Sequence, residues 1–384
     1  MSGSNERAVV VDAVRTPQAK KDGGFADVYP EDLVVSVLDA LVERTGVSPE
    51  EWVDFRLGCA NQEVEQGRNL ARQSLLAGGF SEDVPGATLS RLCGSSLTTL
   101  NDAARAVESG DGDVYPIAGV EHMSRVPFSD WLHPALKSRY GDESSLSMGM
   151  TAETVARRYD ISRQDQDAFA LRSHERAIIA RDAGRFDAEI VTVETPDGVV
   201  EQDEGPREDT SMEVLGSLPT VFADDDAASV TPGNASPLTD GAAGALVTAE
   251  SYADANDLPV LGRVVSRAVV GVDPEVMGIA PVPATRLALD KAGLTLDDMD
   301  LVELNEAFAS QSLYCTQELG IDDEKVNANG GAIALGHPLG CSGARIATTL
   351  LHELDRREGR YGLATMCVGF GQGVATVFER PEKQ

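Results

Sequence analysis

Lysine is scarce in this 384-residue sequence: Lys20, Lys21, Lys137, Lys291, Lys325 and Lys383 are the full set, against 26 arginines. Positive charge as a whole is in deficit, with 32 basic and 63 acidic residues giving a formal net charge of −31. A field of that sign repels nucleic acid and anionic membrane, so neither is expected as a partner. Long apolar runs are also missing. Stretches such as 8–11 and 332–335 fall far short of the roughly 20 residues that span a bilayer, which predicts a soluble chain without membrane insertion. Cysteine is limited to five residues, an odd number, widely spaced and never arranged as Cys-x-x-Cys. That excludes a disulfide scaffold and a structural zinc site, and predicts reduced thiols. The first seven residues carry neither a basic leader nor an Arg-rich amphipathic pattern, so a cytoplasmic location is expected. Aromatics are only 5%, yet 42% hydrophobic residues and 37 glycines supply a sizeable core and many tight turns, excluding the disordered class. Length predicts two or three structural units. So acidic a surface would repel itself in dilute buffer, whereas at about 1 M salt the screening length falls to roughly 3 Å; the composition predicts a halophilic protein in a salt-rich cytosol.

Along the chain, hydrophobic periodicity alternates between two forms. Residues 8–11 read as a buried strand, and Leu33, Val37 and Leu41 mark a helix over 32–45. Leu97, Leu100, Ala104 and Val107 mark a second helix ending at Gly110, followed by a strand over 114–120. The pattern returns with Ile346, Leu350 and Leu354, a stop at Gly359 and a strand over 363–368. Gly110 and Gly359 share the offset that separates Cys93 from Ser342 and brings Ala118 onto Cys367. A duplicated α/β unit accounts for this, although one shared offset also arises between unrelated α/β units. Between the halves, Ser162 is a helix-start signal for an amphipathic stretch ending by Gly184, and 194–235 reads as an elaborated loop.

Three segments carry candidate chemistry. Leu92-Cys93-Gly94-Ser95-Ser96 places a thiol at a helix start, where backbone N–H groups and the macrodipole favour thiolate, and Gly94 would allow close substrate approach. His337 sits among glycines in the run from Asn329 to Gly340, on a loop stiffened by Pro338, whereas His122, His133, His174 and His352 lack that setting. Cys367-Val368-Gly369-Phe370-Gly371-Gln372-Gly373 puts a second thiol before a glycine-rich turn. A dinucleotide loop is rejected there, because 374–378 reads as a strand rather than a helix. Two thiols and one imidazole suit nucleophilic acyl chemistry.

These segments resemble the thiolases, in particular the 3-ketoacyl-CoA thiolase and acetyl-CoA acetyltransferase group. Ser90-Arg91-Leu92-Cys93-Gly94-Ser95-Ser96, Asn305-Glu306-Ala307-Phe308-Ala309, the block from Gly331 to Pro338, and the block from Cys367 to Gly373 look like that family's four signatures, in family order. The resemblance covers nearly the whole chain. It implies an α/β fold with a duplicated core in five α-β-α-β-α layers and an inserted loop domain: 1–120 as N-terminal core, 121–247 as loop domain, 248–384 as C-terminal core.

By motif, the resemblance implies Cys93 as acyl-accepting nucleophile, His337 as its base and Cys367 as the acid/base at the acetyl-CoA α-carbon. Asn305 would hold a water, and the Cys93 and Gly369 N–H groups would form an oxyanion hole. Met148, Phe222, Ser236, Met277 and Phe308 match pocket positions around pantetheine and acyl group, and Arg207 matches a position near the nucleotide. CoA and acyl-CoA thioesters would be the substrates, no metal or redox cofactor would be needed, and the family's homodimer or homotetramer would be expected. The sequence departs from biosynthetic acetoacetyl-CoA thiolases at Ser147, where those usually have His, and Phe370-Gly371-Gln372 is closer to degradative enzymes. Thiolysis of 3-ketoacyl-CoA is therefore the favoured reaction. Condensation of two acetyl-CoA is the alternative, and a ketosynthase, which would normally carry His at position 305, is a more distant one. Pro237, Val214 and Cys341 are further departures. Residues 125–142 look short for a tetramerising arm, which favours a dimer.

Overall fold

A computed structural model of the chain describes residues 6–127, 132–141 and 146–382. The first half runs β1 (Ala8–Arg15), β2 (Ala19–Lys20), α1 (Pro30–Thr45), β3 (Phe55–Gly58), α2 (Leu70–Ala77), β4 (Gly86–Leu89), α3 (Ser95–Ser109) and β5 (Val114–His122). Local signals set these bounds: Pro30 opens α1, and Gly46 and Gly110 close α1 and α3 at positive φ. An excursion follows, with α4 (Pro134–Tyr140), α5 (Met148–Arg158), α6 (Arg163–Asp182), a small hairpin of β6 (Val193–Thr195) and β7 (Gly198–Val200), and α7 (Met212–Ser217). Ser147 and Ser162 cap α5 and α6 by accepting from Met150 N and Asp165 N. The chain then returns through β8 (Thr239–Ala249) and α8 (Glu250–Ala255). The second half comprises β9 (Gly262–Gly271), α9 (Pro281–Ala292), β10 (Leu301–Leu304), α10 (Ala309–Leu319), α11 (Ala332–Leu335), α12 (Ser342–Arg357), β11 (Tyr361–Val368) and β12 (Gln372–Glu379).

Strand order in the first half is β1-β8-β5-β3-β4 and in the second β9-β12-β11-β10. In both, the first two pairings are antiparallel and the third parallel, so the second half repeats the first without a counterpart of β4. The half-sheets touch edge to edge through Val9↔Arg263 and Val10↔Gly262.

Three apolar clusters turn this into five layers. Leu33 and Val37 of α1 and Leu70 of α2 cover the outer face of the first half-sheet, and Val282 and Ala288 of α9 with Cys315 of α10 cover that of the second. Between the half-sheets, Leu97, Leu100 and Val107 of α3 meet Ile346, Leu350 and Leu354 of α12.

The stretch 121–247 includes most of β8. Thr239–Ala249 is buried along its whole length between β1 and β5, because its alanines and glycines leave room for a helix: a Cβ on Gly244 would come within 2.6 Å of Val37. The excursion outside the sheet therefore ends where β8 begins. Residues 128–131 and 142, within the stretch weighed as an oligomerising arm, lie outside the described residues.

Candidate active site

Cys93 sits between β4 and α3, in a turn closed by Gly94 N–H donating to Arg91 O and Ser95 N–H to Leu92 O at 3.0 and 3.1 Å. Leu92 is held at φ +46°, an uncommon conformation for leucine, which stores local strain beside the thiol. The residue is 9% exposed. Burial pushes its thiol up to about 11, with the Glu121 charge adding to the rise, while the N–H groups of Gly369 and of Cys93 itself face the sulfur and pull the other way. The thiolate expected from the helix start is therefore not favoured in the free protein. The surrounding core removes the sulfur from water, and the Ser95 N–H at the start of α3 is spent on the turn itself. At Gly94 a Cβ would meet Val368 at 2.7 Å, so its missing side chain lets the start of α3 pack on the second half.

Cys367, near the end of β11, is 1% exposed. Burial, then the Cys93 charge, raise its pKa well above an ordinary thiol, placing the two sulfurs within each other's field. Gly369 follows, and Phe370 and Gly371 at φ +59° and +76° turn the chain into β12.

Asn305 stands at the end of β10, its N–H donating to Thr365 O at 3.0 Å, which puts it beside the Cys367 end of β11. Its Nδ2 lies 3.4 Å from His337 Nε2 and 3.5 Å from Nδ1, against the ring rather than on one nitrogen, and its buried Oδ1 has no partner. His337 Nδ1 is 2.5 Å from Ser342 Oγ, whose own hydroxyl donates to Pro338 O at 3.0 Å. A Ser342 hydroxyl that donates to Pro338 O accepts from Nδ1, the arrangement that puts the ring proton on Nδ1 and a lone pair on Nε2. Burial, and then the Arg345 charge, depress His337 to about 3, so the imidazole is neutral at pH 7. The His337 loop reaches the Cys93 segment through Ser96 Oγ, which donates to Cys341 O at 3.1 Å and accepts from Ala344 N at 2.8 Å.

Met148, Met277, Phe308 and Cys367 share one apolar cluster with Ala152, Val230 and Ala235. Phe222 meets Phe308 edge to face at 6.2 Å, and Ser236 N–H donates to Ala307 O at 3.0 Å. Arg207 does not join this cluster; it is exposed and its backbone N–H donates to His174 Nδ1 at 3.2 Å. His122 and His352 are engaged by Phe25 O and Ala13 O. Among the described residues no group of His, Cys, Asp or Glu is placed to hold a metal ion.

Sequence reasoning missed the residues that brace the site. Ser342, 2.5 Å from His337 Nδ1, was visible only as the counterpart of Cys93 in the 249-residue offset. Glu306 accepts from Ser173 Oγ at 2.6 Å, Asn327 Nδ2 at 2.8 Å and Ile333 N at 3.2 Å, pinning the segment that leads to His337. Arg345, 3.2 Å from Glu303, contributes the charge that acts on His337.

This geometry coincides with what the comparisons find. Residues 8–251 match the thiolase N-terminal domain and residues 258–380 the thiolase C-terminal domain. The chain belongs to the thiolase family. Among its relatives, the 3-ketoacyl-CoA thiolase of Erwinia tasmaniensis is 50% identical over 98% of this chain and 100% of its own length. That of Pseudoalteromonas translucida is 48% identical over 97% and 98%. Among solved structures, the Bacillus anthracis acetyl-CoA acetyltransferase aligns with a TM-score of 0.91 at 40% identity, covering 99% of this thiolase and 100% of that chain. Human mitochondrial 3-ketoacyl-CoA thiolase aligns with a TM-score of 0.91 at 38% identity, covering 98% and 99%.

Proposed function

We propose that this thiolase cleaves 3-ketoacyl-CoA with CoA, yielding acetyl-CoA and a shortened acyl-CoA through an acyl-cysteine. The Cys93 proton passes to His337 Nε2 as sulfur attacks the 3-keto carbon, which avoids populating a thiolate that burial disfavours. The oxyanion is met by backbone N–H groups; such donors are commonly worth about 2.7 to 4 kcal/mol each. When the C2–C3 bond breaks, its electron pair goes to C2, and Cys367 donates its proton there. Free CoA then gives its thiol proton to the Cys367 thiolate and attacks the acyl-cysteine, and Cys93 recovers its proton from His337. Asn305 holds a water against the imidazole, with its unpartnered Oδ1 available to it. Met148, Phe222, Ser236, Met277 and Phe308 line the pantetheine and acyl channel under the excursion between β5 and β8, and Arg207 reaches toward the nucleotide. CoA is a substrate here, and no metal or redox cofactor enters the cycle. The reading extends to a homo-oligomer, more readily a dimer, in a salt-rich cytoplasm.

The observation that carries it is the Gly369 N–H facing the Cys93 sulfur, with Cys367 near enough to feel the Cys93 charge. The similarity to an acetyl-CoA acetyltransferase keeps condensation of two acetyl-CoA as the second reading. Loss of 3-ketoacyl-CoA absorbance on adding CoA, followed over a chain-length series in molar KCl, separates the two. Turnover is expected with members longer than four carbons; a sharp preference for the four-carbon substrate would favour condensation, and no turnover at any salt concentration would overturn both.

A further inference from the structure

We infer that Glu121 is a positioning residue of the acyl-transfer site: a buried carboxylate that holds the His337 loop of the second half against the nucleophile's half of the molecule. It rests on the thiolase reaction proposed above. Glu121 lies near the end of β5 and is 1% exposed. Its Oε2 accepts from Gly340 N at 2.8 Å, three residues beyond His337, and from Ala60 N at 2.9 Å, just after β3. Its Oε1 accepts from Asn61 N at 3.1 Å and Gln66 Nε2 at 2.8 Å. The Gln66 amide is oriented independently, because its Oε1 accepts from His122 N at 2.6 Å. Four of its polar contacts are therefore N–H donors, and the Cys59 Sγ lies 3.9 Å from Oε1 as a fifth, a set of donors that fits an ionised carboxylate better than an amide.

The clamp closes where backbone of the two halves packs directly together. A Cβ on Gly340 would stand 2.7 Å from Cys59 Cα and 2.7 Å from Val120 O, so the loop is drawn against the first half as closely as backbone permits. Cys59 after β3, Cys93 before α3 and Cys341 before α12 are the titratable side chains that feel the Glu121 charge. His122 turns to Phe25 O and Asp240 instead, and among the described residues no Arg, Lys or His is paired with Glu121. An uncompensated buried carboxylate is costly. It is accounted for here by four donors that a neutral side chain could not all satisfy, one of which belongs to the loop carrying the base.

The test uses the full chain with Glu121→Gln and Glu121→Asp, reading steady-state thiolysis, iodoacetamide labelling of Cys93 against pH, and thermal unfolding. Glu121→Gln turns an NH2 toward a backbone donor, so kcat should fall about tenfold or more from misplacement of the base, while KM stays within about threefold. With the charge gone, the labelling profile of Cys93 should move to lower pH. Glu121→Asp keeps the charge but is one methylene short of Gly340, so it should retain the parental labelling profile while kcat stays depressed. Parental kcat per labelled Cys93 in either variant, or an unmoved profile in Glu121→Gln, would overturn the inference. If Glu121→Gln does not fold, the Glu121→Asp kcat decides. Failure of the parent to turn over would instead remove the thiolase reading, and the labelling profiles would still report the field of Glu121.

Discussion

At the residue scale the site is built from neutral groups. Cys93 is pushed up to about 11 and His337 down to about 3, both by burial first, so near pH 7 the free enzyme holds a thiol and an imidazole rather than an ion pair. The sign follows directly: a thiol whose pKa is raised stays protonated until the pH approaches that value. Cys93 labelling by iodoacetamide in the free enzyme should therefore climb steadily through pH 8 and 9, and a plateau below pH 8 would contradict it. Residue types and their order were legible in the sequence, because Cys93, Asn305, His337 and Cys367 lie in short blocks whose neighbours turn the backbone. The direction of the Cys93 shift was not. A helix start argues for thiolate from local geometry, whereas the opposing desolvation comes from a core cluster that includes residues hundreds of positions away, such as Ile346 and Val374.

At the element scale, α3 and α12 form the shared middle layer, and their contact depends on absent side chains. A Cβ on Gly343 would fall 2.3 Å from Leu97 N and 2.7 Å from Leu97 Cβ, so backbone would have to give way rather than a flexible side chain. Gly343→Ala should destabilise the fold by about 1–3 kcal/mol. It should also depress turnover, because the same displacement moves Ser342 and with it the His337 ring. A parental melting temperature in differential scanning fluorimetry would refute this reading of the interface. Helices such as α1, α3, α6 and α12 were legible from their periodicity, and α3 and α6 also from their capping residues Gly110 and Ser162. The location of β8 was not, since an Ala and Gly run has little strand signal and acquires its identity by being gripped between β1 and β5. The tertiary pairing, not the propensity, makes it a strand.

At the scale of the whole molecule, the duplicated core and the acidic skin follow different physics. The repeat was half visible as one shared offset; strand order and pairing sense in both half-sheets make it complete. The charge excess was fully visible, because it needs no fold to be counted. Surface pairs such as Arg157–Asp225 and Arg286–Glu318, both 2.8 Å, use some of the arginines, but 63 acidic residues outnumber 32 basic ones and most of the excess must face solvent. In dilute buffer those charges interact over tens of ångströms, while near 1 M salt the range shrinks to roughly 3 Å and compaction no longer works against them. The melting temperature should therefore rise with KCl from the low-salt limit and flatten toward molar concentration. Exposed Asp224, Asp226 and Asp297 offer a direct check, with Asp225 left in place for Arg157. Changing the three to Asn removes three negative charges and should lower the KCl concentration needed for half-maximal stabilisation without altering the high-salt plateau. If both proteins instead keep their full melting temperature at millimolar salt, self-repulsion is not what the acidic surface imposes, and the salt-rich cytoplasm loses its physical basis.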